Sequence, residues 1–409
     1  MPWKATSVTD QRAKFMLDYN ELVRTGQTTM FALCAEHGVS RKTGYKILAR
    51  YEESGWQGLA DHSRAPLGGK HWITAETISA VLDVRLAFPQ WGSRKIVAYL
   101  RDIEPDQQWP AASVVHEWIK RAGMVINHPG PQRRFPHPGR PPAVPIERPN
   151  QQWSTDFKGH FRTKDRRYCY PLTVTDSFSR YIIGCRALRA TTFELTWPVF
   201  ERLFREYGLP DAILSDNGTP FSSNSVKRLS KLSVRWIRLG IEPRLIQPGK
   251  PQQNGRHERM HRTMKDEACA PPAADCRRQQ PQFDNFAHQF NFIRPHEALG
   301  QTPPARSYER SSREYPKRLP EITYPSGYEL RSVRSSGEIK WKGQWFFLSE
   351  SLVGQIIAFE DIDDDCSIIR FGPLELGYYS DRHRRLYLDR IRPASPPSTA
   401  TEQPVDKES

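Results

Sequence analysis

Apolar side chains recur at helical spacing through the first 125 or so positions, and alternation takes over further on. In the front part, Phe15, Met16, Tyr19, Leu22 and Val23 mark a helix over 10–24, with two shorter helices over 28–36 and 40–51. His37-Gly38-Val39 separates the last two, and Ser40 is placed to cap the third by accepting from backbone N–H groups. This is a helix–turn–helix layout, whose last helix begins with Arg41, Lys42, Thr43 and Lys46. Such a helix fits a major groove, where those four side chains could reach phosphates or base edges. A plain three-helix bundle with a solvated basic face is the alternative. Residues 75–124 repeat the theme: Leu82, Leu86, Ile96, Leu100, Val115, Ile119 and Met124 predict three more helices, with a turn at Pro89–Gly92. They make either a second DNA-reading module or a helical spacer.

Between 129 and 149 stand eight prolines, interleaved with Arg133, Arg134, Arg140 and Arg148. No helix survives that density of proline, so a basic, extended linker is expected over 127–149. Beyond it, strands are predicted over 151–158, 168–177 and 181–188, then an amphipathic helix over 192–207. A short strand at Ala212–Leu214, a helix around 222–233, a strand around 243–247 and a helix from about 254 follow. The order β-β-β-α-β-α-β-α implies a mixed sheet with helices packed on it. A second break is expected near 301–320. Short strands with Gly turns over 322–391 suit a small β-barrel, and the Pro/Ser/Thr-rich end reads as a disordered tail over 393–409.

Composition sharpens this outline. Lys and Arg number 60 against 46 Asp and Glu, a net charge of +14 over 409 residues, which points to a polyanionic partner. Hydrophobic residues are 37% and aromatics 11%, enough for packed cores. No apolar run approaches the roughly 18 residues that span a bilayer, so no membrane partner is expected. The first dozen residues hold no apolar stretch, so no signal peptide is expected either, and the localisation expected is cytoplasmic. The six cysteines form no C-x-x-C pair, which argues against a disulfide scaffold and a Cys-rich zinc site.

Three acidic residues carry the chemistry. Asp156 lies inside the first core strand, where a charge is unusual. Asp216 ends the fourth strand before Asn217-Gly218, which allows a sharp turn, and Glu258 lies near the start of a helix. Strand ends and a neighbouring helix can bring three carboxylates to one point, where their repulsion calls for cations. Hard oxygen ligands suit Mg²⁺ or Mn²⁺, and two such ions about 3.5–4 Å apart can activate a hydroxyl and stabilise a leaving oxygen. The bland reading of each is a turn former or a cap. His261, Arg262 and Lys265 follow Glu258 by three, four and seven residues and are expected on its helix face.

The blocks Trp153-Ser154-Thr155-Asp156, Ser215-Asp216-Asn217-Gly218-Thr219-Pro220-Phe221 and Pro251–Arg259 resemble the three signature blocks of the retroviral-type integrase core. So does the stretch from Phe290 through Arg294-Pro295-His296 to Pro303. With Ser40–Lys46 and Trp56–Pro66, the chain resembles D-D-E insertion-sequence transposases of the group numbered four-eight-one over about 10–390. The resemblance implies a multidomain α and α/β protein. Helix–turn–helix domains would span 1–65 and 66–126, a ribonuclease-H-like core 150–310 and a small β-barrel 320–392. It implies that Asp156, Asp216 and Glu258 are the metal-binding catalytic triad for two Mg²⁺ ions, with Mn²⁺ able to substitute, and that Lys265 touches DNA ends alongside Arg262. The implied activity is 3′-end hydrolysis and strand transfer, acting on double-stranded DNA (terminal inverted repeats and target) as a homo-oligomer. The alternative is a domesticated DNA-binding protein that no longer cuts. Two departures stand out: 41 residues separate Asp216 from Glu258, more than is common in integrases, with the extra ones expected in a loop around Val234–Gly240, and the retroviral His/Cys zinc module is absent.

One rival motif remains. Residues 257–261 read H-E-x-x-H, which on a helix can place two His on zinc with Glu as base. The metzincin extension would need Gly at 264 and His at 267, where the chain has Met264 and Glu267, and a loop precedes the motif. His257 is then a helix-start residue and His261 a possible DNA or metal-shell contact. The acidic turn at Asp361–Asp365 lacks the later ligands of a calcium loop.

Overall fold

The computed structural model describes residues 7–61, 73–126, 145–247 and 255–388. The bulk of the Pro/Arg-rich linker, the tail beyond 388 and the Pro251–Asn254 part of the third signature block lie outside the described residues. The chain forms two compact units, Met1–Thr74 and Ala75–Ser409.

In the first unit, α1 (Val8–Asp18) continues into a π-turn (Tyr19–Val23), and α2 (Met30–Glu36) and α3 (Arg41–Ser54) complete a three-helix core. Ser7 opens α1 with a capping box to Asp10, and Ser40 caps α3 as its sequence predicts, its hydroxyl accepting from Thr43 N–H at 3.2 Å. Gly38 makes the turn at φ +65°. Phe15, Met16, Leu33, Cys34, Ile47 and Leu59 fill the core. Gly44 lets α3 lie against α2: a Cβ there would stand 2.5 Å from Cys34 Sγ. One face of α3 is thereby buried and the face with Arg41, Lys42, Thr43 and Lys46 is exposed.

The second unit opens with α4 (Ala75–Ala87), α5 (Ser93–Ile103) and α6 (Ala112–Arg121). The stripe that α4 buries is Thr77, Val81 and Arg85, not the predicted Leu82 and Leu86; Leu86 is exposed. Arg85 is buried because its guanidinium donates to Trp91 O at 2.6 Å and to Met124 O at 2.6 and 3.1 Å, tying three segments together.

The core sheet comprises β1 (Gln152–Phe157), β2 (Phe161–Arg162), β3 (Tyr168–Asp176), β4 (Ile182–Leu188), β5 (Ala212–Ser215) and β6 (Glu242–Leu245). β3 pairs antiparallel with β1, β2 and β4; β5 then lies parallel to both β1 and β6. The parallel β1–β5 pair needs a crossover, and α7 (Phe193–Tyr207) lies on that path. Trp153, Phe200, Phe204, Phe221 and Trp236 fill one face of the sheet. On the other pack α9 (Gly255–Ala268) and α10 (Cys276–His288), through Met260, Met264, Phe283 and Phe286.

Four expectations are corrected. The helix expected around 222–233 is α8 (Lys231–Arg238), begun by a Ser230 cap that accepts from Ser233 N–H at 3.2 Å. Val226 and Leu229, at the ends of a single 3-10 turn (Val226–Arg228) before it, bury into the C-terminal part. The Val234–Gly240 stretch is α8 and its end rather than an inserted loop. The expected break near 301–320 is a strap on the core: Tyr308 stacks on Tyr181 at 4.4 Å, and Arg313 O accepts from Leu209 N–H at 2.7 Å. Lastly, the C-terminal strands β7 (Glu329–Ser332), β10 (Ile356–Asp363), β11 (Cys366–Phe371), β12 (Leu374–Ser380) and β13 (Arg385–Leu388) pair as an open antiparallel sheet, order β13-β12-β11-β10-β7. A separate hairpin is formed by β8 (Glu338–Trp341) and β9 (Gln344–Phe347), so no strand pairing among the described residues closes a barrel. Val234 and Ile237 of α8 join the core of this sheet with Trp341, Phe359 and Leu348.

Candidate active site

The register of β1 against β5 pairs Thr155 with Ser215, so Asp156 and Asp216 are the next residues along two adjacent parallel strands. Ser154 and Asp156 lie opposite Thr175 and Thr173 of β3. Those threonines meet α9, which carries Glu258. Asp156 is partly buried, and its carboxyl is pushed up to about 7, first by burial, then by the negative charge of Asp216, with a smaller push from Glu258; the Phe157 N–H pulls the other way. Burial also raises Asp216, whose Oδ1 accepts from Gly218 N–H at 3.3 Å. Gly218 leaves room for that carboxylate, because a Cβ there would stand 3.1 Å from Oδ2. The three carboxylates are thus electrostatic neighbours. Among the described residues, however, no three His, Cys, Asp or Glu side chains stand close enough together to hold a metal ion. The donors are hard oxygens that carry like charge, a set that fits Mg²⁺ or Mn²⁺.

A folded-state carboxyl raised above its ordinary value of 3.8 favours the protonated native state. That stability is fully present below about 4 and is lost as pH rises through about 7. In EDTA, the unfolding temperature of the protein should therefore fall across this window, and Asp156→Asn should flatten the fall. A variant with the wild-type pH profile would contradict the raised carboxyl.

The buried stripe of α9 is His257, Met260, His261, Met264 and Ala268; Glu258, Arg262 and Lys265 are exposed on another face. This corrects the placement of His261 beside Glu258. His257 Nε2 and His261 Nε2 lie 2.5 and 2.7 Å from Thr173 Oγ1, and His257 Nδ1 lies 3.1 Å from Thr175 Oγ1. Burial holds both imidazoles neutral, at about 3 and about 2. Both Nε2 atoms of the H-E-x-x-H string thus face the one Thr173 hydroxyl under the sheet while its Glu faces outward. This is no zinc-protease arrangement, and His261 is no DNA contact. Thr173 Oγ1 also donates to Asp156 O at 3.1 Å, so one hydroxyl joins the strand of Asp156 to the helix of Glu258.

Sequence reasoning missed this threonine pair, whose only signal was alternation along β3. It also missed Lys158, two residues past Asp156. The charges of Lys158 and Lys265 both oppose the burial that lifts the Cys269 thiol to about 11, so both cations lie within electrostatic reach of the C-terminal end of α9. Arg41, Lys42, Thr43 and Lys46 belong to the other unit, on the exposed face of α3.

Two family models described as "Integrase core domain" match residues 146–251 and 239–304. A "Helix-turn-helix domain" model matches 11–66 and a "Homeodomain-like domain" model matches 43–119. The Gag-Pol polyprotein of baboon endogenous virus (strain M7) is 28% identical over 202 residues, 48% of this chain and 11% of that protein. The Pol polyprotein of feline endogenous virus ECE1 is 33% identical over 122 residues, 29% of this chain and 11% of that protein. The insertion element IS476 uncharacterized 39.2 kDa protein of Xanthomonas euvesicatoria is 29% identical over 161 residues, 39% of this chain and 44% of that protein. The chain spans about a tenth of the length of these two viral relatives. Among solved structures, the HTLV-2 integrase catalytic core domain in complex with magnesium aligns at TM-score 0.30 and 17% identity, covering 40% of this chain and 98% of that one. A simian T-cell lymphotropic virus intasome chain aligns at TM-score 0.35 and 14% identity, covering 76% and 99%. The chain therefore carries an integrase core domain behind helix–turn–helix domains.

Proposed function

We propose that this protein is a DNA transposase of the D-D-E type, close to the insertion-sequence group numbered four-eight-one. It exposes 3′ hydroxyls at its element's ends and joins them to target DNA. The observation that carries this is the register that sets Asp156 beside Asp216 on parallel strands, with Glu258 within electrostatic reach, inside an integrase core domain. Asp156, Asp216 and Glu258 would hold two Mg²⁺ ions, or Mn²⁺ in their place. Bound there, such ions supply charge neutralisation and polarisation of phosphodiester oxygens. The chain's own residues do the rest. Glu258 is exposed, and its side-chain torsions are the freedom by which it closes on the two aspartates. Thr173 holds α9 to β1. Arg262 and Lys265, exposed beside Glu258, draw the phosphate backbone toward the carboxylates. Arg41, Lys42, Thr43 and Lys46 bind the terminal inverted repeats through α3, and pairing of two ends calls for a homodimer or larger assembly.

The test uses purified protein and duplexes from DNA flanking the gene, with Mg²⁺ or Mn²⁺ against EDTA, reading 3′-end nicking and joining on a gel. Metal-dependent cuts at inverted repeats support the proposal. Tight specific binding with no cut in any metal points instead to a domesticated DNA-binding protein.

A further inference from the structure

Arg294, Pro295 and His296 stand in the last integrase-like block, yet the carboxylate site uses none of them. They follow the π-turn Gln289–Ile293, at the seam between the α4–α6 module and the core. That seam is fastened by ion pairs of Arg306 with Asp102 and of Arg94 with Glu297. A cavity of about 1260 Å³ opens here, with Lys95 of α5, Arg180 of the β3–β4 turn, Arg256 and Arg259 of α9, Arg294 and His296 in its wall. Glu258, Arg262 and Lys265 are not part of that wall, so α9 has the carboxylate site on one side and this cavity on another.

The carboxylates near this wall are already engaged. Asp176 accepts from Asn150 N–H, Ser179 N–H and Ser179 Oγ–H at 2.6–2.8 Å. Glu242 pairs with Arg244 at 2.6 Å, Glu297 with Arg94, and Glu267 takes up Arg294 at 2.6 Å. Arg256 donates to Ser177 O at 2.8 Å. Among the described residues, the side chains of Lys95, Arg180 and Arg259 have neither an ion pair nor a hydrogen bond. His296 is buried, packed edge-on against Phe290 at 4.5 Å, and its Nε2 has no hydrogen-bond partner. The cations crowd one another: Arg256 and Arg259 add to the burial that lowers Arg180, and Lys95 and Arg294 add to the burial that lowers His296 to about 3. Lys95 feels Glu267 and Glu297, but Arg294 and Arg94 already pair with those two carboxylates, and half-buried like charges are costly unless a further anion joins them.

We propose that this cavity binds a stretch of DNA sugar-phosphate backbone, with Lys95, Arg180 and Arg259 on successive phosphates and His296 Nε2 at the cavity floor. The site deepens the transposase reading and rests on it. A polymer fits better than a single phosphate, because the cations come from four separate segments, more than one phosphate touches at once. A backbone strand held there fixes the α4–α6 module and the core to the same duplex.

The experiment titrates the full chain with a duplex from the flanking DNA, in EDTA so that no cutting intervenes, over a series of KCl concentrations. Each lost phosphate contact reduces the slope of log affinity against log salt by about 0.9. Lys95→Gln and Arg180→Gln should each show that reduction, the double variant about twice it, and Arg180→Lys should keep the wild-type slope. Unfolding temperatures check that the variants are folded. Wild-type slopes in folded Lys95→Gln and Arg180→Gln would overturn the proposal. So would inorganic phosphate stabilising the wild type against heat as strongly as the duplex does at matched phosphate, which would mark a small-anion pocket. Failure of the triad reading shows elsewhere: Glu258→Gln that still joins DNA would sink the triad and leave this slope untouched.

Discussion

Glu258→Gln should abolish strand joining, by about a thousandfold or more, while leaving duplex binding within about threefold. The substitution keeps the shape of the side chain and removes only its charge. Glu258 is exposed on α9, and the buried stripe that anchors the helix is His257, Met260, His261, Met264 and Ala268, so the fold has little to lose. Surface changes of this kind cost about 0.5 kcal/mol or less. Losing one of three carboxylates that stabilise charge at a phosphodiester removes several kcal/mol from the transition state, and each 1.36 kcal/mol is about tenfold in rate. Single-turnover joining and anisotropy titration on the same duplex separate the two effects. Joining retained to within tenfold would show that Glu258 is not in the site.

Trp153→Ala should destabilise the second unit by about 3–5 kcal/mol, the range for removing a large aromatic from a packed core. Trp153 is fully buried three residues before Asp156 and stacks on Phe204 of α7 at 5.8 Å. Its indole N–H donates to Asn150 Oδ1 at 2.9 Å, but that oxygen also accepts from Tyr308 O–H at 3.1 Å, so truncation leaves it partnered. The loss is therefore mainly packing between β1 and α7, and Trp153→Phe should recover much of it. Urea unfolding gives both numbers; a cost under about 1 kcal/mol for Trp153→Ala would show that the core does not rest on this contact.

The carboxylate pair was legible in the sequence because strand pairing is a repeating pattern. Alternation marked β1, an apolar run ending in Asp216-Asn217-Gly218 marked β5, and a parallel register then brings Asp156 and Asp216 side by side. Ser40 and Gly38 announced the helix–turn–helix in the same local way. What was not legible depended on distant partners. Val226 and Leu229 have apolar spacing that looks helical, yet they bury against strands a hundred residues later, and Ser230 starts the helix instead. α10 was missed because its buried stripe, Cys276, Gln279, Phe283 and Phe286, is interrupted by polar residues and Pro281. His261 sits three residues from Glu258, 60° away around the helix, and whether it joins Glu258 or the core was decided by Thr173 on β3. Arg85 occupies a core position that an apolar residue would ordinarily fill, because three carbonyl contacts outside its helix receive its guanidinium. The C-terminal strands were visible, but their closure was a matter of non-local pairing, which no local pattern encodes.

The central claim is that these carboxylates hold the metal that the cutting reaction needs, and a thiolate put in place of one of them tests it. Mn²⁺ stands above Mg²⁺ in its tolerance of sulfur ligands. Asp216→Cys, run in the flanking-DNA gel assay with each metal, should be inactive in Mg²⁺ and regain 3′-end nicking in Mn²⁺. Nicking by Asp216→Cys in Mg²⁺ at the wild-type rate would contradict the account, because Asp216 would then not be a metal ligand.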